Sequence, residues 1–415
     1  MQKIDRALLV ALNYTSDLEL TKQSIDELEE LASTLDIKTV DKMIQTLEAI
    51  DPRYFIGSGK VLEIKNMIDI LKLDMIIFDD TLSASQLRNL EKALEIQIID
   101  RSFLILQIFA KRAKTHQAML EVSLAQKLYM LPRLTGMSKS LSRQGGGSFN
   151  AKGPGETKLE LDRRRLTDEI SNLRYELDKI NKERLVSSKK RISNRIPVVS
   201  LVGYTNAGKS SIMNYFALKF GTDKTKVFEE NMLFATLDTK AKRIQKENHP
   251  PFILTDTVGF ISKLPPELIS SFQSTLSDIQ TADLILHVVD GLNYSDLQIN
   301  LTKSILNQLG VSSTPRVLVI TKKDLRSSAP AVIEDYIYIS NKTGEGMDQL
   351  YQAISAHIYS DSRIYALKIP FDKGSIYQDL KDTSTVLETK YLEDGIYVRA
   401  ILNPVKLAHY KIYLT

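Results

Sequence analysis

Apolar residues in the first hundred positions fall into short runs separated by stretches with helical spacing. Ala7–Leu12, Met75–Phe78 and Ile96–Ile99 are runs of the kind that fill buried strands, and Ser24–Leu35 and Ser85–Leu94 have helical periodicity. Strands alternating with helices predict a small parallel α/β domain over residues 1–110. From Leu106 the pattern turns helical, with Leu120, Leu124, Leu128 and Leu131 on one stripe that Pro132 is expected to close. A glycine-rich stretch follows, Arg143-Gln-Gly-Gly-Gly147 through Gly153-Pro-Gly155. It cannot hold a helix, because each glycine forfeits about 1 kcal/mol relative to alanine. Thr157 and Glu160 have capping-box spacing, which predicts a new helix there. Leu166, Ile170, Leu173, Leu177 and Ile180 then form a heptad seam too short for a free coiled coil. The seam is expected to pack on the preceding helix, making residues 111–195 an antiparallel hairpin with the glycine loop at its tip. Beyond the basic stretch Ser187–Arg195, a second α/β block occupies residues 196–362. Strand-like runs at Tyr365–Ile369 and Tyr397–Leu402 predict a small α+β piece over residues 363–415.

Composition narrows the chemistry. Of 415 residues, 43% are apolar and 26% charged, as in ordinary soluble domains. The absence of cysteine excludes disulfides, thiol catalysis and thiolate metal sites. Five scattered histidines show no ligand spacing, and apolar runs such as Leu284–Val289 are far too short to span a membrane. No small-residue cleavage site follows Met1–Leu12, so a cytoplasmic protein is expected. The net charge of +4 is unevenly placed: Arg101–Arg195 holds 21 Lys/Arg against 9 Asp/Glu, and the remainder 34 against 42. A basic middle on an acidic chain fits a polyanion such as nucleic acid, or simply a solvated helical face.

The most specific motif is Gly203-Tyr204-Thr205-Asn206-Ala207-Gly208-Lys209-Ser210, followed by Ser211. It fits G-x-x-x-x-G-K-[ST] and lies between the apolar strand Val198–Val202 and a helical stretch, Ser211–Phe216. Such a loop wraps phosphates with its backbone N–H groups at a positive helix end. Lys209 would reach the β- and γ-phosphates, and the Ser210 hydroxyl would hold Mg²⁺. Asp256-Thr-Val-Gly259 follows the strand Phe252–Leu254, placing Asp256 to hold Mg²⁺ through water and the Gly259 N–H to sense the γ-phosphate. Thr321-Lys322-Lys-Asp324 follows the strand Arg316–Ile320. The Asp324 carboxylate can accept from guanine N1–H and the exocyclic amine, which adenine lacks, so GTP and GDP are the expected ligands. Ser340-Asn341, after Tyr336–Ile339, would close over the base. Thr236 is placed to bind Mg²⁺ while the γ-phosphate is present. Each later motif is weak alone, but order and strand-end placement make the set specific. Lys209, Thr236 and Gly259 are the expected catalytic residues. The fold expected is therefore α/β: a small parallel domain, a helical hairpin, a Ras-like P-loop domain and a small α+β end.

Many GTPases carry a glutamine after D-x-x-G that orients the attacking water. Here that position is Phe260, whose ring has no donor or acceptor. Intrinsic hydrolysis should be slow and should need either a monovalent cation or a partner that orders the loops.

Several segments together resemble one family, the HflX-type GTPases of the Obg–HflX group. They are Gly57-Ser-Gly-Lys60, Phe78-Asp-Asp80, Arg88-Asn-Leu-Glu91, Leu131-Pro-Arg-Leu-Thr-Gly136, Leu141-Ser-Arg-Gln-Gly-Gly-Gly147, Gly153-Pro-Gly-Glu-Thr157, Asp162-Arg-Arg-Arg165 and Asp256-Thr-Val-Gly-Phe260. The resemblance implies binding to the large ribosomal subunit and the splitting of stalled or idle ribosomes, with the glycine loop near the peptidyl-transferase centre. Arg143, Gln144, Gly145, Gly146, Gly147, Phe149 and Lys152 are then the expected contacts to rRNA. Cations there neutralise phosphates, and Phe149 either stacks on an unpaired base or packs back on the hairpin. Asn206 matches an asparagine that holds K⁺ in related potassium-dependent GTPases. Thr321 stands where an asparagine usually ties the base loop to the P-loop, and Asn341 replaces the usual alanine. Gly57-Ser-Gly-Lys60 reads as a turn into a helix, leaving ATP binding by the first domain open. The chain is expected to be a monomer. It is either a GTPase that drives subunit dissociation or a nucleotide-sensing factor occupying the large subunit in assembly or dormancy.

Overall fold

The apolar run near the start becomes β1 (Arg6–Asn13), buried from Ala7 onward. The computed structural model describes residues 4–14, 17–141, 154–193, 196–221, 240–247, 249–263, 279–292, 296–326 and 334–415. The chain divides into two compact units: residues to Lys182 with a short segment from Ile261 form the first, and most of the remainder forms the second.

In the first unit, β1 pairs in parallel with β2 (Lys38–Thr46) and with β3 (Met75–Phe78), and β3 with β4 (Gln97–Asp100), in the order β2-β1-β3-β4. Helices α1 (Leu18–Thr34), α2 (Ser58–Leu71) and α3 (Ala84–Leu94) connect them. Leu8, Val10, Ile64, Ile76, Phe78 and Leu90 share one core. The expected parallel α/β arrangement is present. The sequence pattern misses β2 because Met43 is its only buried residue, so no apolar run marks the strand.

Asp100 joins this sheet to the helices that follow. One carboxylate oxygen caps α4 (Arg101–Arg112) by accepting from Phe103 N at 2.9 Å, and it also accepts from Tyr129 Oη at 2.8 Å. The other accepts from Leu82 N at 3.0 Å and from Arg133 Nη2 at 2.9 Å. Arg101, 1% exposed, donates to Asp79 at 2.7 Å and pairs with Glu27. In the same unit Ser262 Oγ accepts from Arg101 at 2.9 Å, and Lys263 reaches Asp79 at 2.5 Å and Asp80 at 2.8 Å. The Phe78-Asp-Asp80 motif thus serves a buried ionic cluster.

Two expectations in the hairpin are corrected. Pro132 does not end its helix, since α5 (His116–Leu141) runs through it. Proline removes one backbone donor, and Arg133 anchors the helix across it, donating to Tyr129 O at 2.8 Å and Leu82 O at 3.0 Å. Thr157 is not a cap either: α6 (Pro154–Ser193) begins three residues earlier, with proline in the first turn where its missing N–H is free of cost. The leucine seam packs as expected, with Leu124, Ile170 and Leu177 buried against Leu120, Leu128, Leu131, Leu166 and Leu173. Arg143, Gln144, Gly145, Gly146, Gly147, Phe149 and Lys152 lie outside the described residues, as does Thr236.

The second unit carries a six-stranded sheet in the order β10-β9-β8-β5-β7-β6. Its strands are β5 (Val198–Gly203), β6 (Lys240–Ile244), β7 (Phe252–Asp256), β8 (Leu284–Asp290), β9 (Arg316–Thr321) and β10 (Tyr336–Tyr338). All pairs are parallel except β6 with β7. Helices α7 (Lys209–Phe220), α8 (Asp296–Gln308) and α9 (Met347–Ile358) belong to this unit. Its core gathers Leu201, Ile212, Phe216, Leu254, Leu286 and Tyr351. A three-stranded antiparallel sheet follows, with β13 (Gly395–Leu402) between β11 (Arg363–Ile369) and β12 (Thr385–Leu392). Leu380 of α10 (Gly374–Thr383) and Tyr410 of α11 (Pro404–Tyr410) close its core. This is the α+β end read from the sequence. Among the described residues no helix is long and apolar enough to cross a membrane.

His287, in the middle of β8, is 1% exposed, and among the described residues neither ring nitrogen has a hydrogen-bond partner. Burial, reinforced by Arg316 and Lys303 and opposed by Glu334, pushes its pKa down to about 3. The unfolded chain takes up that proton near pH 6.5 and the folded chain does not, so acid destabilises the fold between those values. His287→Leu should therefore lose about 2 kcal/mol less than the parent between pH 7 and pH 5. Denaturant melts at the two pH values read the difference, and equal losses would contradict it.

Candidate functional site

The phosphate loop leaves β5 at Gly203 because nothing larger fits. A Cβ at Gly203 would lie 2.1 Å from Val288 O in the neighbouring strand. The loop then turns through Asn206 (φ 59°) and Gly208 (φ 91°), backbone conformations that asparagine and glycine tolerate. Helix α7 starts at Lys209, so the loop's N–H groups end at a helix N-terminus. Lys209 Nζ is buried and donates to Gly203 O at 3.1 Å and Tyr204 O at 2.6 Å. Burial lowers its pKa to about 8, against the opposing pull of Asp256.

Asp256 is the last residue of β7 and fully buried. Ser210 Oγ donates to Asp256 Oδ2 at 2.6 Å, so the two expected metal ligands meet. Hydroxyl and carboxylate oxygens are the hard donors that suit Mg²⁺. Among the described residues no cluster of three or more His, Cys, Asp or Glu offers another metal site.

The D-x-x-G segment is bound to the phosphate loop through the main chain. Phe260 N donates to Gly203 O at 3.0 Å, and Thr205 N donates to Phe260 O at 2.8 Å. Gly259 sits between them, where a Cβ would come within 2.8 Å of Thr205 Cα and 2.9 Å of Lys209 Nζ. The Phe260 ring is buried, 3% exposed.

On the base side, Asp324 lies in a 3₁₀ turn, Lys323–Leu325, and accepts from Ser340 Oγ at 2.6 Å. Ser340 is buried and its Oγ also accepts from Thr343 N at 3.1 Å, which fixes the loop after β10. Lys322 (φ 59°) pairs with Asp290 at 2.7 Å. Thr321, fully buried, donates to Ala207 O at 2.9 Å or Val289 O at 3.2 Å. Asn341 Nδ2 donates to Gly208 O at 3.3 Å. The structure therefore gathers Gly203 to Ser210, Asp256, Gly259, Thr321, Lys322, Asp324, Ser340 and Asn341 at one end of the sheet; Ser211 follows in the first turn of α7. Sequence reasoning missed Asp290, the partner of Lys322, and Thr257, whose hydroxyl holds Leu201 O at 2.7 Å. Neither stands out in one dimension, because each acts by pairing across strands.

Three family models match the chain: "GTP-binding GTPase N-terminal" over residues 22–110, "GTP-binding GTPase Middle Region" over 112–191 and "50S ribosome-binding GTPase" over 198–322. A protein named GTPase HflX from Caldanaerobacter subterraneus subsp. tengcongensis is 40% identical over 397 residues, covering 95% of this chain and 90% of its own length. The one from Lacrimispora saccharolytica is 41% identical over 403 residues, covering 95% of this chain and 93% of itself. The one from Escherichia coli (strain K12) is 34% identical over 409 residues, covering 97% of this chain and 94% of itself. Similarity of this extent, running through the N-terminal and middle regions as well as the nucleotide loop, makes the chain a member of the HflX family of GTPases.

Proposed function

We propose that this GTPase works on the large ribosomal subunit, binding it in the GTP state and splitting or recycling stalled or idle ribosomes as GTP becomes GDP and phosphate. The observation that carries this reading is the match of residues 198–322 to a family described as ribosome-binding GTPases. The basic stretch Arg101–Arg195 supports it, with Arg143, Gln144, Gly145, Gly146, Gly147, Phe149 and Lys152 as the rRNA contacts. The partition into residues 1–110, 111–195, 196–362 and 363–415, a monomeric state and a cytoplasmic location belong to the same reading.

In the nucleotide site, Lys209 donates to the β- and γ-phosphates, Gly259 N–H reads the γ-phosphate, and Asp324 selects guanine. Magnesium, when bound, would neutralise phosphate charge; Ser210 and Thr236 would supply oxygen donors to it, and Asp256 would hold it through water. Asn206 is the group for a potassium ion beside the phosphates. Phe260, buried and without a polar atom in its ring, does not orient water. Turnover therefore depends on what is added to the protein.

The test is the GTPase rate with and without large subunits, in potassium and in sodium chloride, followed by sedimentation of whole ribosomes with GTP and a non-hydrolysable analogue. Large subunits should raise the rate by at least about tenfold, and ribosomes should separate. Tight binding with neither effect supports the alternative, a nucleotide-sensing factor in assembly or dormancy. Equal rates in the two salts remove potassium from the scheme.

A further inference from the structure

The base-recognition loops reach the phosphate loop at two successive carbonyls. Thr321, at the end of β9, donates to Ala207 O at 2.9 Å, and Asn341, in the loop after β10, donates to Gly208 O at 3.3 Å. The two side chains converge on Gly208, where a Cβ would lie 3.1 Å from Asn341 Nδ2 and 3.4 Å from Thr321 Cγ2. Gly208 is the N-cap of α7 and directly precedes Lys209, so its carbonyl is where the loop hands over to the helix.

A threonine hydroxyl has one hydrogen. It is shared here between Ala207 O and Val289 O, so Thr321 alone gives the phosphate loop an incomplete tie. An asparagine amide has two hydrogens. Asn341 supplies a donor to the next carbonyl along, from a loop whose preceding residue, Ser340, is already bonded to Asp324. The other end of the amide, Oδ1, is buried without a partner among the described residues. Leaving an acceptor unpaired in a buried place is unfavourable. The structure keeps the amide at this site nonetheless, held through its N–H on Gly208 O.

We propose that Asn341 is a positioning residue, a second strap that couples the guanine-recognition loops to the phosphate loop and completes what Thr321 cannot do alone. The inference rests on the reading of these loops as the guanine nucleotide site. The strap sets how rigidly base and phosphates are held in one geometry, and so how slowly the nucleotide leaves.

The experiment uses the full chain and the release of a fluorescent GDP, with unlabelled GTP hydrolysis alongside. Asn341→Ala should release GDP about tenfold faster and raise KM for GTP more than it lowers kcat. Thr321→Asn placed in the Asn341→Ala protein should restore slow release, because a two-hydrogen donor then stands at position 321. The melting temperature without nucleotide should be the same in the parent, in Asn341→Ala and in the double variant. Unchanged release from Asn341→Ala, or failure of Thr321→Asn to restore it while the double variant stays folded, overturns the proposal. Failure of the parent protein to bind fluorescent GDP would instead overturn the site assignment beneath it.

Discussion

Asp324→Asn should lose GTP affinity by at least about a thousandfold and take xanthosine triphosphate in its place. Guanine offers two donors on one edge, N1–H and the exocyclic amine, and a carboxylate accepts from both. Ser340 Oγ, 2.6 Å from Asp324 Oδ1, fixes the carboxylate in orientation, so it meets the base with little rearrangement. An amide exchanges one acceptor for an –NH₂ group, which then faces the exocyclic amine donor to donor. Sites built around a buried polar pair reject the mismatched partner by factors of this size. Xanthine carries a carbonyl where guanine carries the amine, so the same substitution creates a matched pair. Competition binding with the two triphosphates measures both effects, and undiminished GTP affinity would remove Asp324 from base recognition.

Lys209→Met separates the stability of the site from its activity. The amine is buried, and burial lowers its affinity for a proton, so the folded protein holds the charge at a cost. Methionine fills similar space without that charge, while the carbonyls of Gly203 and Tyr204 lose a donor. The melting temperature without nucleotide should stay level or rise. Activity should go the other way. Phosphate-binding donors act on charge that develops in the transition state, and removing one lowers the rate by about a hundredfold to a thousandfold. The variant should therefore fold, lose kcat/KM by about that factor or more, and gain no thermal protection from GTP. Protection by GTP equal to that of the parent would contradict the role given to Lys209.

What the sequence disclosed depended on whether a feature is written along the chain or across it. The phosphate loop was legible because strand, glycine turn and helix are contiguous, and β5 and α7 flank it as read. The leucine seam was legible because its period is local, and the same residues pack in the hairpin. Edge elements were not: β2 buries only Met43, and β12 has half-exposed residues through most of its length, so neither carries an apolar run. Proline rules gave the wrong end for α5, since a long-range bond from Arg133 to Asp100 lies outside any local pattern. Thr321 and Asn341 looked like departures from the usual residues, and in the fold they bond Ala207 O and Gly208 O of the phosphate loop. Those partners lie more than a hundred positions away.

Asp100 has a mechanical consequence for the leucine-lined hairpin. One carboxylate divides its lone pairs among the first turn of α4, the turn entering α3, and Tyr129 and Arg133 of α5. Bonds that meet on a single small group are lost together, and elements sharing such a group tend to open as one cooperative unit. The hairpin is therefore not a detachable arm: whatever prises α5 loose at Asp100 must also loosen the strand that ends there.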